Sequence, residues 1–293
     1  MRAWLDKNTK WIFTIPVLLF VVICIGYPLC YALYMSLHSW RMSLVEAPVF
    51  VGLANFIDLL KEERTQNAIV FTFKYFGVAM IFEVFFGVGL ALLISKIRRG
   101  QGLIRTGFLF PMVATPIAMA YVWKIIFDYT TGLIDAFLRY VGLEAVNWFA
   151  AENVFEMLMV VEVWTGTPLI LLVVLAGITG LSSDVYEAAK IDGANAVQTV
   201  FKITLPLLSP TIIMAFLLRG IEVLKVYDLV YAITAGGPNM MTENLNILVY
   251  TYAFDYMQMG KACALMIIFF ALVMAFALVC MMLKKKIETR YGV

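Results

Sequence analysis

Six long runs of mostly apolar residues dominate this sequence, near residues 11–35, 69–95, 107–127, 155–179, 207–233 and 262–283. The hydrocarbon core of a bilayer is about 30 Å thick, and a helix crosses it in about 20 residues. Runs this long and continuous suit helices; barrel strands are about half the length and alternate in polarity. Composition points the same way: 63% of residues are hydrophobic and 14% charged, against about 45–50% and about 25% in an average soluble domain. A soluble globule could not bury that excess. A soluble enzyme, a disordered chain and a nucleic-acid-binding domain are therefore excluded. The expected fold class is all-α: a polytopic membrane protein with six transmembrane helices in a single domain over residues 1–293. The first run is too long for a signal peptide, lacks a small-residue cleavage pattern and contains Tyr27-Pro28, so it reads as an uncleaved helix.

Lysine and arginine near the span ends set the orientation. Arg2, Lys7, Lys10, Lys96, Arg98, Arg99, Arg105, Lys190, Lys202, Lys284, Lys285, Lys286 and Arg290 fall on one side, thirteen in all, against Arg41, Lys61, Arg64 and Arg139 on the other. Both termini and the loop between spans four and five are expected in the cytoplasm. Trp4, Trp11, Trp40, Trp123 and Trp148 lie near span ends and read as interface anchors. Four cysteines in apolar runs and one histidine, His38, suggest neither a disulfide framework nor a metal site.

The loop between spans four and five is the most informative stretch. Ser182, Ser183 or Asp184 can cap a helix that carries Glu187, Ala188, Ala189 and Lys190. Gly193 ends or kinks it, and a second short helix from about Asn195 to Lys202 leads to Pro206 and span five. A helix–Gly–helix element on a cytoplasmic loop can dock in a groove of a partner, although the residues alone equally allow a plain connecting loop.

The spacing Glu187-Ala188-Ala189, three residues, Gly193, nine residues, Ile203, one residue, Leu205-Pro206 resembles the EAA loop of binding-protein-dependent ABC importer permeases. Gly26-Tyr27-Pro28, Val51-Gly52-Leu53-Ala54-Asn55-Phe56, Phe110-Pro111, Trp164-Thr165-Gly166-Thr167-Pro168 and Thr234-Ala235-Gly236-Gly237-Pro238 look like the sugar-importing branch, which includes the larger maltose permease and the A-type glycerol-3-phosphate permease. The resemblance covers nearly the whole chain. It lacks the extra N-terminal spans and the large outer domain of the maltose protein. The resemblance implies an ABC type I importer permease fold with a coupling loop over about 181–206, in which Glu187, Ala188, Ala189, Asp192 and Gly193 contact an ATPase. It also implies the partners: a second permease subunit in a heterodimer, two ATPase subunits that bind ATP and Mg, and an extracytoplasmic solute-binding protein, all at a bacterial-type inner membrane. No cofactor, metal or nucleic acid is expected in this chain. It contains no Gly-x-x-x-x-Gly-Lys-Ser/Thr phosphate loop.

Ionisable groups inside a span cost roughly 2.5–3.5 kcal/mol each on insertion scales, so each needs a reason. Arg219, Glu222, Lys225 and Asp228 recur every three residues in span five, which lets opposite charges pair along one face. Span four carries Glu162 and the run Thr165-Gly166-Thr167-Pro168; Pro168 frees a backbone carbonyl and Gly166 lets a ligand approach the backbone. A broken helix at this level is a common transporter device. By motif register, the resemblance places Glu162, Thr165, Gly166 and Leu169 of span four on a substrate pathway, with Met112 and Pro116 of span three and Arg219, Val223 and Tyr227 of span five. Glu222 joins them as the neighbour of Arg219. Glu83 and Lys74 in span two are expected to find structural partners on neighbouring helices. A sugar-phosphate cargo such as glycerol-3-phosphate is one alternative. An ion-coupled secondary transporter using Glu83, Glu162, Glu222 and Asp228 is another.

Overall fold

A computed structural model describes residues 2–42, 47–97 and 99–291, with the side chains of 2–9, 12, 290 and 291 left aside. Arg98, one of the basic residues that orient the chain, lies outside the described residues. The fold is almost wholly helical. Five helices are long and apolar enough to cross a membrane, and a bent pair raises the number to as many as six. The chain divides into two compact units, Met1–Gln66 with Leu248–Ala271, and Asn67–Ile247 with Leu272–Val293.

In the first unit, α1 (Arg2–Val21) passes through a π turn (Val22–Gly26) into α2 (Tyr27–Ser36). The turn lies one residue ahead of Pro28 within Tyr27-Pro28. Proline has no N–H to give the previous turn and its ring crowds the carbonyl four residues back; a widened turn absorbs both effects. A short antiparallel hairpin follows, β1 (His38–Ser39) and β2 (Val49–Phe50), with His38 opposite Phe50. The buried Asn55 of α3 (Ala54–Lys61) ties the hairpin down, donating from Nδ2 to the carbonyls of Ser36 at 2.8 Å and His38 at 3.0 Å. His38 itself meets the Tyr34 carbonyl through Nδ1 at 2.7 Å. Ala32, Met35 and Cys263 form a small core with Trp40, Met259 and Ile267 around it.

The second unit holds most of α4 (Glu63–Ser95), then α5 (Gln101–Val113), α6 (Pro116–Ile126), α7 (Leu133–Tyr140) and α8 (Val154–Thr179). After these come α9 (Ser183–Ile191), α10 (Ala196–Thr199), α11 (Leu205–Leu224) and α12 (Asp228–Thr234). The short α13 (Leu245–Tyr250) and a π turn (Thr251–Asp255) lead to the last long helix, α14 (Met259–Tyr291). The α8 helix is the hub: 61% of its apolar window is buried, against at most 33% in the four other long helices. It packs against α5 and α11.

Three expectations need correction. The third span is not one helix over 107–127: α5 and α6 meet at a 94° bend. Ala114 and Thr115 are both extended, and Pro116 opens α6. The residue before a proline avoids the helical region, so the helix stops there. The fifth span ends at Leu224, not at 233, and Asp228 opens a separate helix, so the four charges do not share one helical face. The helix before Pro206 is not separate either. Residues Ala196–Leu224 run continuously through a second π turn (Val200–Thr204), again one residue ahead of a proline. Two tryptophans also depart from the interface role. Trp123 stacks edge-on against Trp164 at 5.3 Å and Trp148 against Phe127 at 5.3 Å, and both pack on the core. Trp148 donates its indole N–H to the buried Asp135 at 3.1 Å.

Candidate functional site

Two helices of the second unit, α4 and α11, place charge beside α8. From α11, Arg219 donates through Nε to Glu83 Oε2 at 2.8 Å and through Nη2 to Glu83 Oε1 at 3.1 Å. Nη2 also donates to Glu162 Oε1 at 2.5 Å, and Nη1 to Glu222 Oε2 at 3.1 Å. Four of the five guanidinium N–H groups are thereby used. Tyr75 of α4 donates its hydroxyl to the other oxygen of Glu162 at 2.8 Å. Glu83 is wholly enclosed and Glu162 nearly so, whereas the side chain of Glu222 is 56% exposed. The lipid-phase cost of each charge is thus met by a short, oriented partner.

This cluster forms one wall of a cavity of about 510 Å³. Met112, Pro116, Glu162, Thr165, Gly166, Leu169, Arg219, Glu222 and Tyr227 all line it, joined by Lys225 and Asp228. Eight of the nine residues placed on a pathway by motif register are thus brought together, along with Glu222. Val223, the ninth, is 1% exposed and belongs to the core. The backbone break expected of span four lies instead in span three, where Ala114 and Pro116 border the same cavity. The α8 helix runs unbroken through Pro168, with Thr167 donating its hydroxyl to the Val163 carbonyl at 2.6 Å. Gly166 has a different use from the one expected. A Cβ there would collide with Arg219 Nη2 and Glu83 Oε1, so the missing side chain makes room for the ion pair.

Sequence reasoning left Tyr75 out and gave Glu83 only a structural partner on another helix. The signal for Glu83 was its charge within an apolar run, but a partner 136 residues away is not readable from spacing. Among the described residues Lys74 pairs with no carboxylate, and its Nζ lies 4.0 Å from the centroid of the Phe155 ring. A larger hollow of about 980 Å³ is walled by phenylalanines such as Phe82, Phe86, Phe108 and Phe110. It offers a polar solute few hydrogen-bonding groups, so the smaller cavity is the better candidate.

The loop after α8 builds a second surface. Ser182 caps α9, accepting from the Asp184 N–H at 3.2 Å. Gly193 closes the helix with φ +75°, while the Ala194 N–H reaches back to the Ala189 carbonyl at 2.9 Å. Asn195 and Gln198 form a reciprocal capping box at the start of α10. Glu187, Ala188, Asp192 and Gly193 are exposed. Ala189 is buried, so its methyl seats the helix on the chain itself. Ile191 at 86%, Val197 at 66% and Phe201 at 67% exposure add an apolar surface that the motif did not single out.

Residues 83–292 match the family described as binding-protein-dependent transport system inner membrane component. The chain belongs to that family. It is 32% identical to the trehalose/maltose transport system permease protein MalF of Thermococcus litoralis, over 94% of this chain and 92% of that one. It is 30% identical to the multiple sugar-binding transport system permease protein MsmF of Streptococcus mutans, over 98% and 99%. Among solved structures it resembles a chain of a bacterial ABC transporter involved in import of the acidic polysaccharide alginate. The TM-score is 0.83 at 20% identity, covering 98% of this chain and 99% of that one. That likeness establishes the fold. This chain is a multi-pass membrane permease component of the ABC importer class.

Proposed function

We propose that this chain is one of two membrane-spanning subunits of an ATP-driven importer for an uncharged carbohydrate. The carrying observation is the cavity around Arg219: polar, large enough for a sugar unit or two, and with its guanidinium already surrounded by carboxylates. Curated relatives are named for trehalose, maltose and multiple sugars. Glu162, Thr165, Gly166, Leu169, Met112, Pro116, Arg219, Glu222 and Tyr227 form the pathway in this reading. Val223 supports it from the core. The charge balance disfavours glycerol-3-phosphate or another sugar-phosphate: Glu162, Glu222 and Asp228 line the cavity against Arg219 and Lys225, and Glu83 stands behind Arg219.

The remaining parts of the machine belong to partners. A second permease completes a heterodimer and a solute-binding protein delivers cargo at the outer face. Two ATPase subunits bind ATP and Mg, and this chain holds no cofactor. The loop over about 181–206 docks on an ATPase through Glu187, Ala188, Asp192 and Gly193, with Ala189 fixing the helix from beneath. Exposure of those residues and of the apolar Ile191, Val197 and Phe201 supports this reading. Both termini are cytoplasmic and the membrane is the inner, plasma membrane of a bacterial-type cell.

Affinity purification of the tagged chain from its native membrane in mild detergent, followed by mass spectrometry, tests the assembly. Recovery of an ATPase and a second permease is expected. An ATPase without a second permease would replace the heterodimer by a homodimeric core. A chain recovered alone that transports without ATP would overturn the reading in favour of an ion-driven carrier.

A further inference from the structure

Arg219 is the only arginine within the six apolar runs, and its guanidinium stands at the wall of the cavity with its side chain 11% exposed. A guanidinium in such a place is the usual receptor for a carboxylate or phosphate on a ligand, since its fork matches two oxygens. Here that fork is already filled. Glu83 takes Nε and Nη2 together, from a fully enclosed position on α4. The pair crosses α8 at Gly166, where even a methyl group would strike both partners. Glu162 and Glu222 take two of the remaining N–H groups. Glu162 is steadied in turn by the Tyr75 hydroxyl.

We propose that Glu83 is a positioning residue that sets the charge preference of the cavity: it clasps Arg219 from behind Gly166, denies the guanidinium to anionic ligands, and so reserves the site for uncharged carbohydrate. This rests on the carbohydrate reading above and goes beyond it by naming the residue that selects on charge. Glu83 does not itself line the cavity. It acts through Arg219, as an internal anion standing where a ligand's anion would otherwise bind. Replacing its carboxylate by an amide leaves one N–H of the fork without an acceptor, weakens the contact to the other, and leaves the surroundings of the cavity one unit less negative.

The test uses the transporter purified from its native membrane with the subunits that accompany this chain. Thermal stabilisation is titrated with maltose and with maltobionate, a disaccharide acid of similar size that carries one carboxylate. The wild type is expected to respond at lower concentrations of maltose. Glu83→Gln is expected to shift the ratio of the two apparent affinities toward maltobionate by about tenfold or more, the order expected when one unit charge is removed several ångströms away at an effective dielectric of about 20. Glu83→Asp keeps the charge and is expected to keep the wild-type ratio. A purely structural role would weaken both sugars alike, so an unchanged ratio in Glu83→Gln overturns the assignment. Equal shifts in Glu83→Gln and Glu83→Asp overturn it too. Gly166→Ala forces the same pair apart by steric means, and its ratio should move in the same direction. That variant decides the matter if Glu83→Gln fails to assemble, and an unchanged ratio there counts against the proposal. A wild-type transporter stabilised by neither sugar overturns the carbohydrate reading itself, whereas sugar binding with a fixed ratio overturns the role of Glu83 alone.

Discussion

Gly193 is a residue at which the proposed coupling role can be tested apart from folding. Its φ of +75° lies in the left-handed region, and a Cβ at this position would meet nothing within 4 Å. An aspartate tolerates that conformation better than most residues, so Gly193→Asp should cost only about 1 kcal/mol of local stability. What it adds is a second carboxylate beside Asp192 on an exposed surface. The expected outcome is normal abundance in the membrane by immunoblot and loss of sugar uptake to background. Normal uptake by a normally inserted variant would remove this glycine from the coupling surface. Ala189 carries the opposite lesson: a motif position can be buried, and it then acts through the helix it seats rather than by contact.

At the scale of elements, the broken third span is the feature with the most direct physical readout. A straight helix would hold Gly102 and Lys124 about 33 Å apart at 1.5 Å per residue. With two arms meeting at 94°, the separation falls to about 23 Å by the same rise. Spin labels at those two positions should therefore report the shorter distance, and a value near 33 Å would show an unbroken helix. The break was legible in part. Thr115-Pro116 is a stop signal for any helix, but the apolar run on either side carries a stronger period than one proline does, and hydropathy reads straight through it. The start of the separate α12 at Asp228 was hidden for a related reason. The three-residue spacing of Arg219, Glu222, Lys225 and Asp228 looks helical throughout, while Arg219 finds its strongest partners on α4 and α8. Local spacing records neighbours within a helix; it has no access to partners 57 or 136 residues away. The first half of the 181–206 loop was legible because its devices are local, a serine cap and a left-handed glycine that act within a few positions, whereas the continuous run from Ala196 into α11 was not.

At the scale of the whole molecule, basic residues are distributed too unevenly for chance placement to be the simple reading. Thirteen lysines and arginines border one set of span ends and four the other. Basic segments are retained on the cytoplasmic side during insertion, so this asymmetry predicts that both termini and the loop over about 181–206 face the cytoplasm. Two exposed sites make the orientation measurable. Tyr140, at the end of α7 and expected on the outer side, is 88% exposed. Gln198 is exposed on α10, within the coupling loop. With Cys24, Cys30, Cys263 and Cys280 replaced, a cysteine at position 140 should react with a membrane-impermeant maleimide in sealed spheroplasts. A cysteine at position 198 should react only after the membrane is opened. The reverse pattern would invert the chain, place Glu187 and Gly193 outside the cell, and leave that loop without an ATPase to act on; labelling of both sites from outside would mean that the span count between them is even rather than odd. Because only span four separates positions 140 and 198, opposite labelling also shows that the chain crosses the membrane an odd number of times between them, as a single passage of α8 requires.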